Sequence, residues 1–95
     1  MKLLVTKEAA NWYKEEFDVQ QPTSLRFYVR YGFGGIIPGY SLAITTDKMD
    51  DVYASCEVGD ITFFIKEKDA WYFDDKNLTI EFNQEKQEPE FIYDE

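Results

Sequence analysis

The chain has no histidine and a single cysteine among its 95 residues, and it sets ten Lys+Arg against nineteen Asp+Glu. Each shortage excludes something. Without imidazole there is no Ser-His-Asp or Cys-His machinery and no histidine metal ligand. With Cys56 alone, one chain forms no internal disulfide and no four-thiolate zinc or iron–sulfur site. A net charge of −9 opposes contact with phosphate backbones, so no nucleic-acid partner is expected. No segment approaches the roughly 18 apolar residues of a membrane span, and Leu3-Leu4-Val5 falls short of the about 7–15 apolar residues of a signal peptide. These features, with a free Cys56 suited to a reducing interior, point to the cytoplasm and to no membrane partner. What is present is a globular chain: 44% hydrophobic, 18% aromatic and long enough for one domain.

The pattern of apolar residues predicts the elements. Thr6 caps a helix from Lys7 to about Phe17, with Ala9, Tyr13 and Phe17 on one face. Ser24 to Arg30 alternates as a strand: Leu25, Phe27 and Val29 face in, Arg26, Tyr28 and Arg30 face out. Tyr40 to Thr46 and Val52 to Val58 alternate likewise. Gly59-Asp60 reads as a hairpin turn into Ile61–Ile65. Glu67 to Phe73 predicts a short helix, and Leu78, Ile80 and Phe82 a last strand. Trp12, Trp71, Tyr72 and Phe73 are expected in the core. The remainder, 83–95, is acidic and carries Pro89; it reads as a tail that Phe91 and Tyr93 can dock. The class is α+β in a single domain, 1–82, on mainly antiparallel or mixed sheet.

Several groupings invite a functional reading beside a structural one. The loop Gly32-Phe33-Gly34-Gly35-Ile36-Ile37-Pro38-Gly39, with Tyr31 before it, holds four of the five glycines. A strand follows it where a phosphate loop needs a helix, and no Gly-Lys-Ser/Thr closes it, so nucleotide binding is not expected. It is either a long connection using positive φ at glycine or a partner-binding loop with Phe33, Ile36 and Ile37 as an apolar patch. Arg26, Tyr28 and Arg30 share a strand face that can hold an oxyanion or a partner, or pair with the chain's own carboxylates. Asp47, Asp50 and Asp51 could take a hard cation, yet their spacing matches no calcium loop. Cys56, on an apolar strand face beside Glu57, reads as a small hydrophobe.

The order of elements resembles the HesB/IscA-like family, the A-type proteins of iron–sulfur cluster biogenesis. Leu4-Val5-Thr6-Lys7-Glu8-Ala9-Ala10 is similar to that family's opening, Leu25-Arg26-Phe27-Tyr28-Val29 to its first long strand, and the glycine loop with Tyr40-Ser41-Leu42 to its Gly-Cys-Ser-Gly…Tyr-x-Leu passage. The resemblance implies a barrel-like sandwich. It transfers no ligand: Phe33 stands where the loop thiolate would be, and Phe91-Ile92-Tyr93-Asp94-Glu95 has no Cys-Gly-Cys. The chain looks like a cysteine-less branch.

The leading expectation is therefore a non-enzymatic interaction protein without a cofactor, a monomer or weak homodimer, whose glycine loop meets a protein partner. By analogy with the resembled family, that partner belongs to iron–sulfur assembly. The alternatives are weak iron binding through Asp47, Asp50 and Asp51, and an enzyme using Tyr, Asp or Arg as acid–base groups.

Overall fold

The computed structural model describes residues 1–95. Strand β1 (Leu3–Val5) leads into helix α1 (Lys7–Glu16), then β2 (Thr23–Tyr31), β3 (Tyr40–Thr46), β4 (Val52–Val58) and β5 (Ile61–Lys66). A short 3-10 helix (Glu67–Tyr72), β6 (Asn77–Asn83) and β7 (Glu88–Asp94) complete the chain. The Thr6 hydroxyl accepts a hydrogen bond from the Ala9 N–H at 3.3 Å and so caps α1. Gly59, at φ +59°, makes the two-residue turn that lets Val58 face Ile61 across the β4–β5 hairpin.

Two sheets result, ordered β3-β2-β5-β4 and β1-β6-β7. Both are mixed, because β2 runs parallel to β5 and β1 parallel to β6. The expected α+β class is borne out. The sheets enclose one core, built from Leu25, Phe27, Phe63 and Ile65 on the larger sheet and Val5, Leu78 and Ile80 on the smaller. Tyr13 of α1 meets the rings of Phe27 and Phe63 edge-on, with centroids 5.9 and 5.7 Å away. On one side β1 runs beside β4, so the sheets meet there. On the other side β3 and β7 are both edges, and no ladder joins them. The molecule is a barrel-like sandwich open along one seam.

Two expectations need correction. Residues Glu88–Asp94 form an edge strand paired to β6 in register, Phe91 opposite Ile80 and Tyr93 opposite Leu78. Acidic residues on its outer face and Pro89 concealed it, yet an edge strand tolerates proline because one side of its backbone needs no partner. Trp71 is 53% exposed, whereas Tyr72 and Phe73 beside it are buried. The 3-10 turn aims only part of its surface inward.

The topology forces one unusual connection. β3 and β4 are consecutive in the chain but lie on opposite edges of their sheet. β3 ends level with Leu25, near the start of β2, while β4 begins level with Lys66, at the end of β5. Asp47–Asp51 must therefore cross the outer face of β2 and β5 diagonally, as an extended strap. Charges from those two strands hold it down. Lys66 Nζ lies 3.3 Å from Asp47 and 2.6 Å from Asp50, and Arg26 spans Asp47 at 3.3 Å and Asp69 at 2.9 Å. At its ends, the Asp47 N–H donates to the Ser24 carbonyl and the Glu67 N–H to the Asp51 carbonyl. Phe64 sits between Phe63 and Ile65 on the strap side of β5 and is fully buried, outside the main core. The strap gives the sheet a second covered face.

The pairing shifts the titration of its members. The Lys48 N–H, then Lys66 and Arg26, hold the Asp47 carboxyl below its usual 3.8; Lys66 does the same for Asp50, and both carboxylates raise Lys66 above 10.5. For the two aspartates the stabilisation is present above pH 3.8 and is lost as pH falls through the depressed values. For Lys66 it is present below pH 10.5 and lost above it. The urea midpoint is expected to stay level near neutrality and to fall below about pH 4. A Lys66→Met variant should be less stable at pH 7 and show a shallower acid slope. Equal acid slopes in the two proteins would exclude the strap as the cause.

Candidate functional site

The glycine loop, 32–39, joins β2 to β3 at one end of the open seam. Its fold is set by contacts that leave little room. The Gly32 N–H donates to the Gly39 carbonyl at 3.1 Å, the Tyr40 N–H to Ile37 at 3.1 Å, and the Ile36 N–H to the buried Tyr72 hydroxyl at 3.0 Å. Gly35 lies so close to the Tyr40 carbonyl and the Tyr72 hydroxyl that a Cβ would overlap both. Gly34 and Gly39, at φ +92° and +87°, make the reversals on either side. Ile36 and Ile37 pack against the core.

The same fold leaves Phe33 outside. Its side chain is 97% exposed at the loop tip, and Tyr31 before the loop is 83% exposed. Tyr31 stacks on Tyr40 with centroids 5.3 Å apart, and Tyr40 meets Trp71 edge-on at 5.3 Å. Tyr31, Tyr40 and Trp71 thus form a ladder of three rings that starts at the residue before the loop. Between β3 and β7 runs a cleft of about 550 Å³, walled by Leu42 on one side and Pro89, Phe91 and Tyr93 on the other, with Phe33 at its mouth. Burial raises the Tyr93 phenol well above its usual 10, with the nearby Tyr72 adding to the rise, and burial raises Tyr13 as well. Both stay neutral and act as packing groups.

The expected charged sites separate. Arg26 is consumed by Asp47 and Asp69, with Tyr28 at 5.7 Å beneath its guanidinium. Arg30, exposed and without an ion-pair partner, turns to the cleft, where Lys86 and Glu88 join it. The strand face read as one oxyanion site is thus divided between strap and seam. Asp47 and Asp50 face Lys66, Asp51 is exposed at φ +49°, and no three acidic or cysteine side chains converge as a metal site would require. Cys56 is half-buried against the core. The outlying aromatics Tyr31 and Trp71 escaped sequence reasoning. Their one signal was position, each at the last residues of an element where alternation no longer guarantees cover.

Comparison with known proteins corrects the family resemblance. No family model matches the chain, the HesB/IscA-like one included, and no solved structure matches it. Over 94 residues it is 38% identical to a Bacillus subtilis protein named pyruvate dehydrogenase inhibitor, covering 98% of this chain and 99% of that one. A Staphylococcus saprophyticus protein is 37% identical over 87% of this chain and 89% of its own, and a Staphylococcus haemolyticus protein 34% identical over 85% and 86%. Neither staphylococcal protein is named for a function. The features behind the HesB/IscA-like reading, a capped Ala-bearing helix, an Arg-bearing strand and a Tyr-x-Leu strand start, are ones a small α+β domain uses for packing alone. With its thiolates missing, nothing specific to that family remained. The chain belongs to the family of the Bacillus subtilis pyruvate dehydrogenase inhibitor.

Proposed function

We infer that this protein acts by contact, as an inhibitor that binds a pyruvate dehydrogenase, with Phe33 at the tip of the glycine loop as the anchor of its contact surface. The observation that carries the reading is a large apolar side chain, 97% exposed, on a loop locked from beneath by Tyr72 and Gly35. An exposed Phe costs solubility and contributes nothing to a monomer's fold. Held rigidly, it enters a partner's pocket without the ordering cost that a flexible loop incurs. Tyr31, Tyr40 and Trp71, stacked on one another, add aromatic side chains of the kind hot spots favour. The name of the Bacillus subtilis relative supplies the partner. Inhibition by contact alone is stoichiometric and reverses on dilution.

The test uses purified full-length protein and the pyruvate dehydrogenase of the same organism, with inhibition and direct binding read together. Phe33→Ala is expected to weaken binding by about 2 kcal/mol, roughly 30-fold, with the urea midpoint unchanged. Inhibition that is undiminished in this variant would remove the loop from the interface, and wild-type protein that neither binds nor inhibits would end the reading. Gly35→Ala addresses the support of the loop. Its methyl group has no space, so it should cost about 1–3 kcal/mol of folding stability and lower affinity while Phe33 is still present. Calorimetry on the folded variant checks both effects.

A further inference from the structure

A strand at the edge of a sheet offers unpaired backbone groups to any neighbour, and proteins usually blunt such edges. Three of the four edges here are blunted. β1 has three residues and runs beside β4; β4 carries Glu57 and an irregular register between Val52 and Ala54; β7 carries Pro89 with Glu88, Glu90 and Asp94. β3 has none of these devices. It is seven residues long, Tyr40-Ser41-Leu42-Ala43-Ile44-Thr45-Thr46, regular throughout, without charge, proline or glycine, and paired only to β2. No hydrogen bond from another element reaches the outer backbone of Ser41 to Thr46.

We propose that β3 pairs antiparallel with β3 of a second copy of this chain about a twofold axis at Ala43. That register suits the sequence. Ala43 faces Ala43, Leu42 faces Ile44, Ser41 faces Thr45 and Tyr40 faces Thr46, so core-side residues meet core-side residues and outer residues meet outer ones. No charged residue lies within the paired segment, and beyond it Asp47 falls opposite Gly39, so no like charges are set against each other. The core-side Leu42 and Ile44 of the incoming strand arrive at the cleft already walled by Leu42, Phe91 and Tyr93. β7 cannot compete for the same strand, since Pro89 has no N–H to give. The two four-stranded sheets then become one continuous sheet of eight. The net charge of −9 on each copy opposes the approach at long range, whereas the pairing itself is uncharged. Salt, which screens over about 8 Å at physiological strength, therefore tightens the dimer.

Sedimentation equilibrium of the full chain over a concentration and salt series is the test, with circular dichroism as the folding control. The expected result is a monomer–dimer equilibrium that shifts toward dimer as salt rises. Ala43→Lys sets two like charges face to face at the axis and should weaken the dimer by about tenfold or more. An equimolar mixture of Ala43→Lys and Ala43→Glu should restore it, which a merely misfolded variant would not do. Hydrogen exchange on the wild type needs no variant: protection of Ser41–Thr46 should rise with protein concentration. A wild type that stays monomeric at every concentration, or a dimer indifferent to both charges at position 43, overturns the proposal. So does β3 protection that appears only when pyruvate dehydrogenase is added, which would give this edge to that enzyme. None of these readouts involves inhibition, so the dimer and the inhibitory contact stand or fall separately.

Discussion

Arg26 and Phe27 are neighbours on β2, and between them they hold the two faces of the larger sheet. Phe27 enters the core against Tyr13, Phe63 and Phe91. Arg26, on the other face, holds Asp47 and Asp69 and so fixes the strap and the 3-10 helix at once. A single exposed ion pair of this kind contributes little. Here the pairs involve side chains only 11% and 15% exposed, Arg26 and Lys66, and they form a network. The chain order demands it: once β3 and β4 are placed on opposite edges, the intervening residues must lie across β2 and β5. A strap with no anchor there would leave Phe64 facing water.

The seam follows from the same arrangement. With β1 beside β4, the ring of strands is closed on one side, and the opening is left between β3 and β7. The glycine loop stands at that opening because it is the β2–β3 connection. The Tyr72 hydroxyl that accepts the Ile36 N–H belongs to the core, so the loop inherits the rigidity of the core while its tip stays outside. Scaffold and loop are thus one piece. The fold supplies shape and exposed aromatic area, while its titratable groups are spent on the strap or left on the solvated surface.

Much of this architecture was legible in the residues. Period-two alternation located β2 to β6, and Thr6 located the start of α1. β7 was hidden because alternation of Phe91 and Tyr93 with Glu90 and Asp94 lies in a stretch dominated by charge, and only its register against β6 separates it from a tail. The strap was not legible at all. Asp47, Asp50 and Asp51 look alike in sequence whether they await a cation or meet one supplied by a strand, and which occurs depends on strand order. The same is true of Phe33. The letters Gly-Phe-Gly-Gly allow a buried or an exposed ring, and the choice rests on Gly35 being pressed against Tyr40 and Tyr72. The HesB/IscA-like resemblance failed for a related reason: packing residues recur across unrelated small domains, whereas chemistry-bearing residues do not.

The charge balance makes sense of two exposed features that a monomer would otherwise be selected to lose. An unguarded seven-residue edge and an aromatic at 97% exposure are both routes to uncontrolled association. Nineteen acidic residues against ten basic ones impose a long-range repulsion between copies. Repulsion of that kind suppresses random encounters but leaves an aligned, uncharged strand free to pair, because its gain is local and directional. It acts equally on copies that meet loop to loop, and so also discourages Phe33 from meeting a second copy of the chain. Pairing through β3 would set the two Phe33 loops at opposite ends of the shared sheet. One assembly would then present two exposed Phe33 side chains, and on any partner with two pockets the second contact would form at the effective concentration fixed by the first.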